Sequence, residues 1–188
     1  MYKIVKAPNP VLSTKAKKVV KFDASLKTLI SEMAKTLENA VDPEGIGLAA
    51  PQVGKSLQLF IIKENKNASL KVFINPEVKL PEDTELQIEQ RPKNASKPSK
   101  DFKLEGCLSL GDIWGQVKRY PNLTLTYQDE TGQTQMQEFK GFFATIIQHE
   151  YDHLQGILFP KRVLEQKGKL YKSRKDDKDE LIFEELPL

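Results

Sequence analysis

The sequence predicts an α+β fold: one domain of antiparallel β-sheets packed around a single central helix. Three observations predict it. Leu26, Leu29, Ile30, Met33, Leu37 and Val41 recur at the 3.6-residue period of an amphipathic helix. Leu123, Leu125 and Tyr127 alternate with Thr124 and Thr126, and a turn at residues 129–132 sends the chain back antiparallel into residues 133–139. Residues 142–154 are apolar on two sides at helical spacing, the mark of a helix buried among other elements. A chain of 188 residues, 39% of them hydrophobic, forms a core of this size without help from disulfides. We therefore expect residues 1–188 to be a single domain.

The elements follow in order. Asp23 is the N-cap of the first helix, over residues 23–41, and Pro43 ends it by disfavouring helix at the residue before it. A Gly-rich segment occupies residues 45–54. Strands are expected at 57–63 and 70–75, with Asn75-Pro76 as the break. Leu86 and Ile88 alternate with polar neighbours, giving a half-buried strand over 84–90. Residues 91–101 are polar with two prolines and no period, so a polar surface insertion is expected near 81–101. In the buried helix, Phe142, Thr145, Ile146, His149 and His153 form one stripe, and Gly156 stops it. After Lys161 a short connector leads to strands at 169–173 and 181–185 around the charged turn 174–179, so the C-terminal segment 169–186 is strand-like.

The chemistry is concentrated in rare residues. The only two histidines, His149 and His153, stand four apart in His149-Glu150-Tyr151-Asp152-His153. On a helix this spacing puts both imidazoles on one face, one turn apart, where they share a metal ion. Glu150 then lies beside the open coordination position, where a general base belongs. The only cysteine, Cys107, stands in Glu105-Gly106-Cys107-Leu108-Ser109. Two imidazoles and a thiolate make a three-ligand site that leaves a position for water, which is catalytic in type. The competing account, a buried helix with two core histidines satisfied by hydrogen bonds, weakens once Cys107 and Gln52 are added, although Cys107 taken alone reads as a small buried hydrophobe. Gly45-Ile46-Gly47 lacks the third glycine of a dinucleotide loop and the Lys-Ser/Thr of a phosphate loop, so it reads as backbone open to close approach by a peptide.

Composition excludes other classes. A net charge of +3 without basic runs interleaved with aromatics does not support nucleic-acid binding. No apolar run reaches membrane-spanning or signal-peptide length, and one cysteine permits no internal disulfide, so a cytoplasmic location is expected.

Three segments in order, Gly45 to Gln52, Glu105 to Ser109 and His149 to His153, resemble the peptide deformylases, which remove the N-formyl group from the initiator methionine of nascent chains. Their motifs are Gly-x-Gly-x-Ala-Ala-x-Gln, Glu-Gly-Cys-x-Ser and His-Glu-x-x-His. The resemblance implies that Cys107, His149 and His153 hold one divalent metal ion, Fe(II) natively, with zinc, cobalt or nickel accepted. It implies that metal-bound hydroxide attacks the formyl carbon with Glu150 as general acid/base, and that Gln52 and the Leu108 N–H stabilise the oxyanion. Ile46 and Gly47 would pair main chain to main chain with the substrate. Phe142, Thr145 and Ile146 would line the methionine pocket, braced by Glu105. The partners implied are a formylated nascent peptide and, transiently, the ribosome.

Some features depart from the better-known bacterial pattern. Residues 77–104 are longer than in many relatives, Trp114 has no Arg beside it, and the C-terminus is strand-like where some members carry a ribosome-docking helix. Two rival readings make distinct demands. A zinc endopeptidase would need a downstream ligand such as Glu165 or Glu180. A non-catalytic module recognising nascent chains would have no use for Glu150 and Gln52.

Overall fold

A five-stranded antiparallel sheet, order β1-β2-β3-β6-β7, separates two helices, and a four-stranded antiparallel sheet, order β4-β5-β8-β9, carries the cysteine segment. The strands are β1 (Gly47–Ala49), β2 (Leu59–Ile62), β3 (Lys71–Lys79), β4 (Glu105–Gly106), β5 (Ile113–Gly115), β6 (Asn122–Gln128), β7 (Thr134–Lys140), β8 (Leu170–Lys175) and β9 (Leu181–Glu185). The helices are α1 (Ala24–Glu38), α2 (Gly141–Leu154) and α3 (Phe159–Glu165). The structure, a computed structural model, describes residues 1–40, 45–65, 67–82, 84–87, 104–177 and 180–187.

β2 explains why the larger sheet is buried on both faces. Its four residues are all buried, and the period of two sends Leu59 and Ile61 to one side and Phe60 and Ile62 to the other. Leu59 and Ile61 meet the apolar face of α1, with Leu26, Leu29, Ile30 and Met33. Each such buried side chain contributes about 1.5–3 kcal/mol. Asp23 caps α1 as expected, its carboxylate accepting from the Ser25 and Leu26 N–H groups at 2.9 and 3.2 Å. Phe60 and Ile62 instead meet α2 through Ala144, Ile147 and Leu154. The central helix of the sequence reading is therefore real, and it packs on one face of the larger sheet. A smaller cluster of Cys107, Val117, Phe159, Val163 and Leu170 joins α3 to the second sheet.

Several expectations are corrected. Asn75-Pro76 does not end a strand: β3 runs through it, and the register against β6 shifts between Ile74 and Glu77. Proline donates nothing to a ladder, and the bulge absorbs it. Asn75 takes φ 49°, its N–H donates to the Gln58 carbonyl at 2.8 Å, and its side-chain amide bonds the Val19 N–H and carbonyl, both at 2.8 Å. The connector after Lys161 lies within a helix, α3, whose Pro160 suits a first turn and whose Phe159 and Val163 are buried. Of the strand expected over 84–90, Gln87 makes an isolated antiparallel bridge with Arg119. Residues 88–90, the proline-rich 91–101 and Val41 lie outside the described residues. The hairpin β6–β7 pairs in unbroken register from Asn122↔Lys140 to Gln128↔Thr134.

A candidate metal centre

α2 presents His149 and His153 one turn apart, with ring centroids 5.0 Å from each other. The helix is held in place by Gln148, whose amide accepts from the Tyr120 N–H at 3.1 Å and donates to the Tyr120 and Ala144 carbonyls. Cys107, just beyond β4, brings its Sγ to 3.3 Å from His153 Nε2. One ligand atom from each of Cys107, His149 and His153 lies within 4.8 Å of the others. Among the described residues this is the one such cluster of three or more metal-ligating side chains.

The donor set fits a divalent cation. His149 Nδ1 is 2.9 Å from Glu105 Oε2, an outer carboxylate that fixes the ring and leaves Nε2 for a ligand bond. Burial raises the Cys107 thiol, but the imidazoles of His153 and His149 outweigh it and pull the group well below its ordinary value, so a thiolate is available. Burial lowers His149, whereas its bonds to Cys107 and Glu105 push it well above its ordinary value, so two acidic groups draw positive charge to this point. Neither Glu165 nor Glu180, the ligands a peptidase would need, joins the cluster. Glu165 is occupied by Arg162 at 3.2 Å, and Glu180 is exposed beyond β8.

Glu150 is 4% exposed, and its Oε2 has no hydrogen-bond partner. Burial pushes its carboxyl up to about 7, against the pull of His149 and His153. A buried carboxyl poised near neutrality is suited to taking and returning a proton. Its Oε1 lies against Gly47, where an added Cβ would fall 2.4 Å away. Gln52, 2% exposed, is oriented by the Ala49 N–H, which donates to its Oε1 at 2.8 Å. Its Nε2 then reaches Cys107 Sγ and Ser109 Oγ, each at 3.4 Å. The three motifs thus converge on one buried point.

The remaining residues fall around it. Ile46 and Gly47 lie at the start of β1, an end strand of its sheet, while Glu105 and Gly106 form β4, an end strand of the other. Ile46 and Phe142 pack against the cluster that contains Ile146. Thr145 Oγ1 is buried without a partner. Trp114, which the sequence shows without an Arg beside it, lies with its ring against Gly106 and edge-on to Phe183 at 5.7 Å, and its Nε1–H donates to Ser173 Oγ at 3.0 Å.

Sequence reasoning missed two supports. The N-terminal segment ties the motifs together: the Val5 N–H donates to the Gln52 carbonyl at 2.8 Å, the Ala7 N–H to the Ser109 carbonyl at 3.0 Å, and Lys6 Nζ to the Leu108 carbonyl at 2.7 Å. Nothing in residues 5–7 signals this. Arg119, 5% exposed, forks onto Glu105 at 2.9 and 3.0 Å and reaches Asp152 at 2.6 Å. Burial raises Glu105, but Arg119 and His149 hold it down at about 2. Asp152 stood inside the histidine motif and could have been suspected, whereas Arg119 sits in a stretch with no pattern.

A family model described as "Polypeptide deformylase" matches residues 1–169. The peptide deformylase of Thermotoga maritima is 36% identical over 174 residues, 93% of this chain and 94% of that protein. The peptide deformylase of Campylobacter jejuni is 38% identical over 167 residues, 86% of this chain and 85% of that protein. Among solved structures, the Thermotoga maritima enzyme superposes with a TM-score of 0.70 at 34% identity, covering 86% of this chain and 97% of that one. The peptide deformylase from Synechococcus elongatus, solved with actinonin, gives a TM-score of 0.71 at 36% identity over 86% of this chain and 79% of that one.

Proposed function

The chain belongs to the polypeptide deformylase family, and from that premise we propose how its own residues carry out deformylation. It is an enzyme, a hydrolase that removes the formyl group from the N-terminal methionine of newly made polypeptides. The family is metal-dependent, and Cys107, His149 and His153 can hold the ion. The observation that carries the residue assignment is the convergence of Gln52, Cys107, His149 and His153 within hydrogen-bond and ligand distance, with the unpartnered Glu150 oxygen beside them.

Cys107, His149 and His153 would hold a divalent cation, which when bound would supply the Lewis acidity that makes a water acidic near neutral pH. The residues supply the rest. Glu150 takes the proton of the attacking water and later returns it to the leaving nitrogen of methionine. Gln52 Nε2, fixed through Ala49, and the Leu108 N–H, fixed through Lys6 and Ala7 on the neighbouring carbonyls, donate to the oxygen that gains charge. The substrate adds as a strand along Ile46 and Gly47, on the side of β1 that pairs with no strand among the described residues, and its methionine side chain enters a pocket lined by Phe142, Thr145 and Ile146, with Glu105 bracing the wall. Two nitrogens and one thiolate suit Fe(II), the metal we assign to the native enzyme, and equally zinc, cobalt and nickel.

We assign residues 1–188 to one catalytic domain, with a polar insertion near 81–101 and the strands β8 and β9 extending the sheet of β4. No helix among the described residues is long and apolar enough to cross a membrane. We propose a cytoplasmic location with transient ribosome contact, where newly made formylated polypeptides emerge; the single free cysteine agrees with a reducing compartment. The test is formate release from formyl-Met-Ala-Ser by anaerobically purified protein with its metal content measured. Steady turnover is expected. One metal per chain without formate would sink the assignment for this substrate.

The packing of Gly47 adds a prediction. A methyl group there would meet Oε1, Cδ and Cγ of Glu150 at 2.4, 2.8 and 2.9 Å, and Glu150 is buried too deeply to swing aside freely. Gly47→Ala is expected to keep the metal and lose turnover by about 100-fold, the scale of a 1 Å misplacement of a reacting group. Wild-type kcat/KM in the variant would show that Glu150 is not constrained there.

A further inference from the structure

Five side chains form a continuous chain of ion pairs and hydrogen bonds that starts at Arg162 on α3, the helix whose Phe159 stacks on the His149 ring at 6.2 Å, and ends on a candidate metal ligand. Arg162 donates to Asp152 through Nη2 at 2.7 Å and Nε at 3.2 Å. Asp152 Oδ2 also accepts from Arg119 Nη1 at 2.6 Å. Arg119 forks onto both oxygens of Glu105, and Glu105 Oε2 meets His149 Nδ1 at 2.9 Å. The signs alternate, cation, anion, cation, anion, so the four charges sum to zero before the chain reaches the imidazole.

Such an arrangement is poor value as a stabiliser. Taking ions out of water offsets most of their attraction, and an apolar core of the same volume serves stability as well or better. Arg119 and Asp152 are each 5% exposed, so both have left water. Arg162 is the outermost member, with 34% of its side chain exposed, and its Nη1 also holds Glu165 at 3.2 Å. Without Arg162, one guanidinium would serve two buried carboxylates. Arg119 would be drawn toward Asp152, and its two-pronged grip on Glu105 would loosen. That grip sets where Glu105 lies and hence which way the His149 ring faces.

We propose that Arg162 is a positioning residue that acts through Asp152, Arg119 and Glu105 on His149 and thereby sets how tightly Cys107, His149 and His153 hold a divalent cation. This rests on the reading of those three residues as the metal site. Nothing in the chain of contacts requires Arg162 to touch substrate.

The test is Co(II) titration of metal-free protein followed by its visible spectrum, which reports ligand geometry independently of turnover. The proteins compared are wild type, Arg162→Met, Arg162→Lys and Glu165→Gln, each with its Tm measured before metal is added. Arg162→Met is expected to bind Co(II) about tenfold more weakly, the lower end of the range for outer-sphere partners, with displaced visible bands. Arg162→Lys, which keeps the charge but not the fork, should recover part of the affinity, and Glu165→Gln should match wild type. Wild-type affinity and bands in Arg162→Met would overturn the proposal. If that variant does not fold, Arg162→Lys decides: weaker binding with shifted bands supports the proposal, and unchanged binding overturns it. Failure of the wild type itself to bind one Co(II) per chain would sink the metal-site reading, and this inference with it.

Discussion

Glu150→Ala is expected to lower formate release by about 10²–10⁴-fold, the usual worth of a positioned acid/base group, while leaving one metal ion per chain. The two halves of that result come from different features. Glu150 supplies none of the three clustered ligand atoms, so its loss leaves Cys107, His149 and His153 together. Its carboxylate is nevertheless a buried acid with an unpartnered oxygen beside them. Glu150→Gln separates proton transfer from packing, because it keeps the shape and removes the base. It should be as inactive as the alanine variant, and wild-type turnover in Glu150→Gln would remove Glu150 from the mechanism. The pH profile carries the same information. Burial holds the carboxyl up near 7, while a cation among the three ligands pulls it back toward its ordinary value of 4.5. The base works only when ionised, so kcat/KM should fall with acid on a limb between about 4.5 and 7, and that limb should be missing from the residual activity of Glu150→Gln.

The centre was legible because its chemistry uses rare residues in tight local patterns. His149, Glu150 and His153 fall on one helix, and its two-sided apolar pattern marked α2 as buried before any geometry was known. β6 and α1 were legible because each runs long enough to show its period, whereas β7, with only Phe139 buried, was legible from the turn at 129–132 that sends the chain back. β4 and β5 span two and three residues, too short for alternation to register, yet they carry the cysteine segment. β3 was cut short at Pro76 because a local rule for proline outweighed the long-range pairing with β6 that carries the strand through a bulge. α3 offers only seven residues, and its buried Phe159 and Val163 are a single i, i+4 pair, too few to establish a period. The Arg119 and Arg162 links were invisible in principle. A charged residue in an irregular stretch reads as solvated, and only the fold brings Glu105, Arg119, Asp152 and Arg162, spread over 58 positions (162 − 105 + 1), to one line of contacts.

Cys107→Ala should have the larger effect on the metal. Truncating an outer-sphere partner weakens metal binding about 10–100-fold, so removing a direct ligand is expected to cost at least the upper end of that range, with formate release lost in parallel. Cys107→Ser should rescue little, because a serine hydroxyl is not ionised at neutral pH, whereas His153 and His149 already hold the Cys107 thiol well below its ordinary value. The same variant separates the deformylase from a zinc endopeptidase built on the same histidine motif. In the peptidase, Cys107 has no task and a downstream carboxylate completes the site, so metal content would survive the substitution. The geometry leaves little room for that outcome. Glu165 is engaged by Arg162 on the outer side of α3, Asp152 is turned toward Arg119 and Arg162, and Glu105 is spent on His149 Nδ1. Glu105, Asp152 and Glu165 are thus already committed to other partners, so a Cys107→Ala protein that still carried one tightly held metal ion would require this network to rearrange or the unpartnered Glu150 to turn in as a ligand, and a shift in the Co(II) visible bands would reveal either.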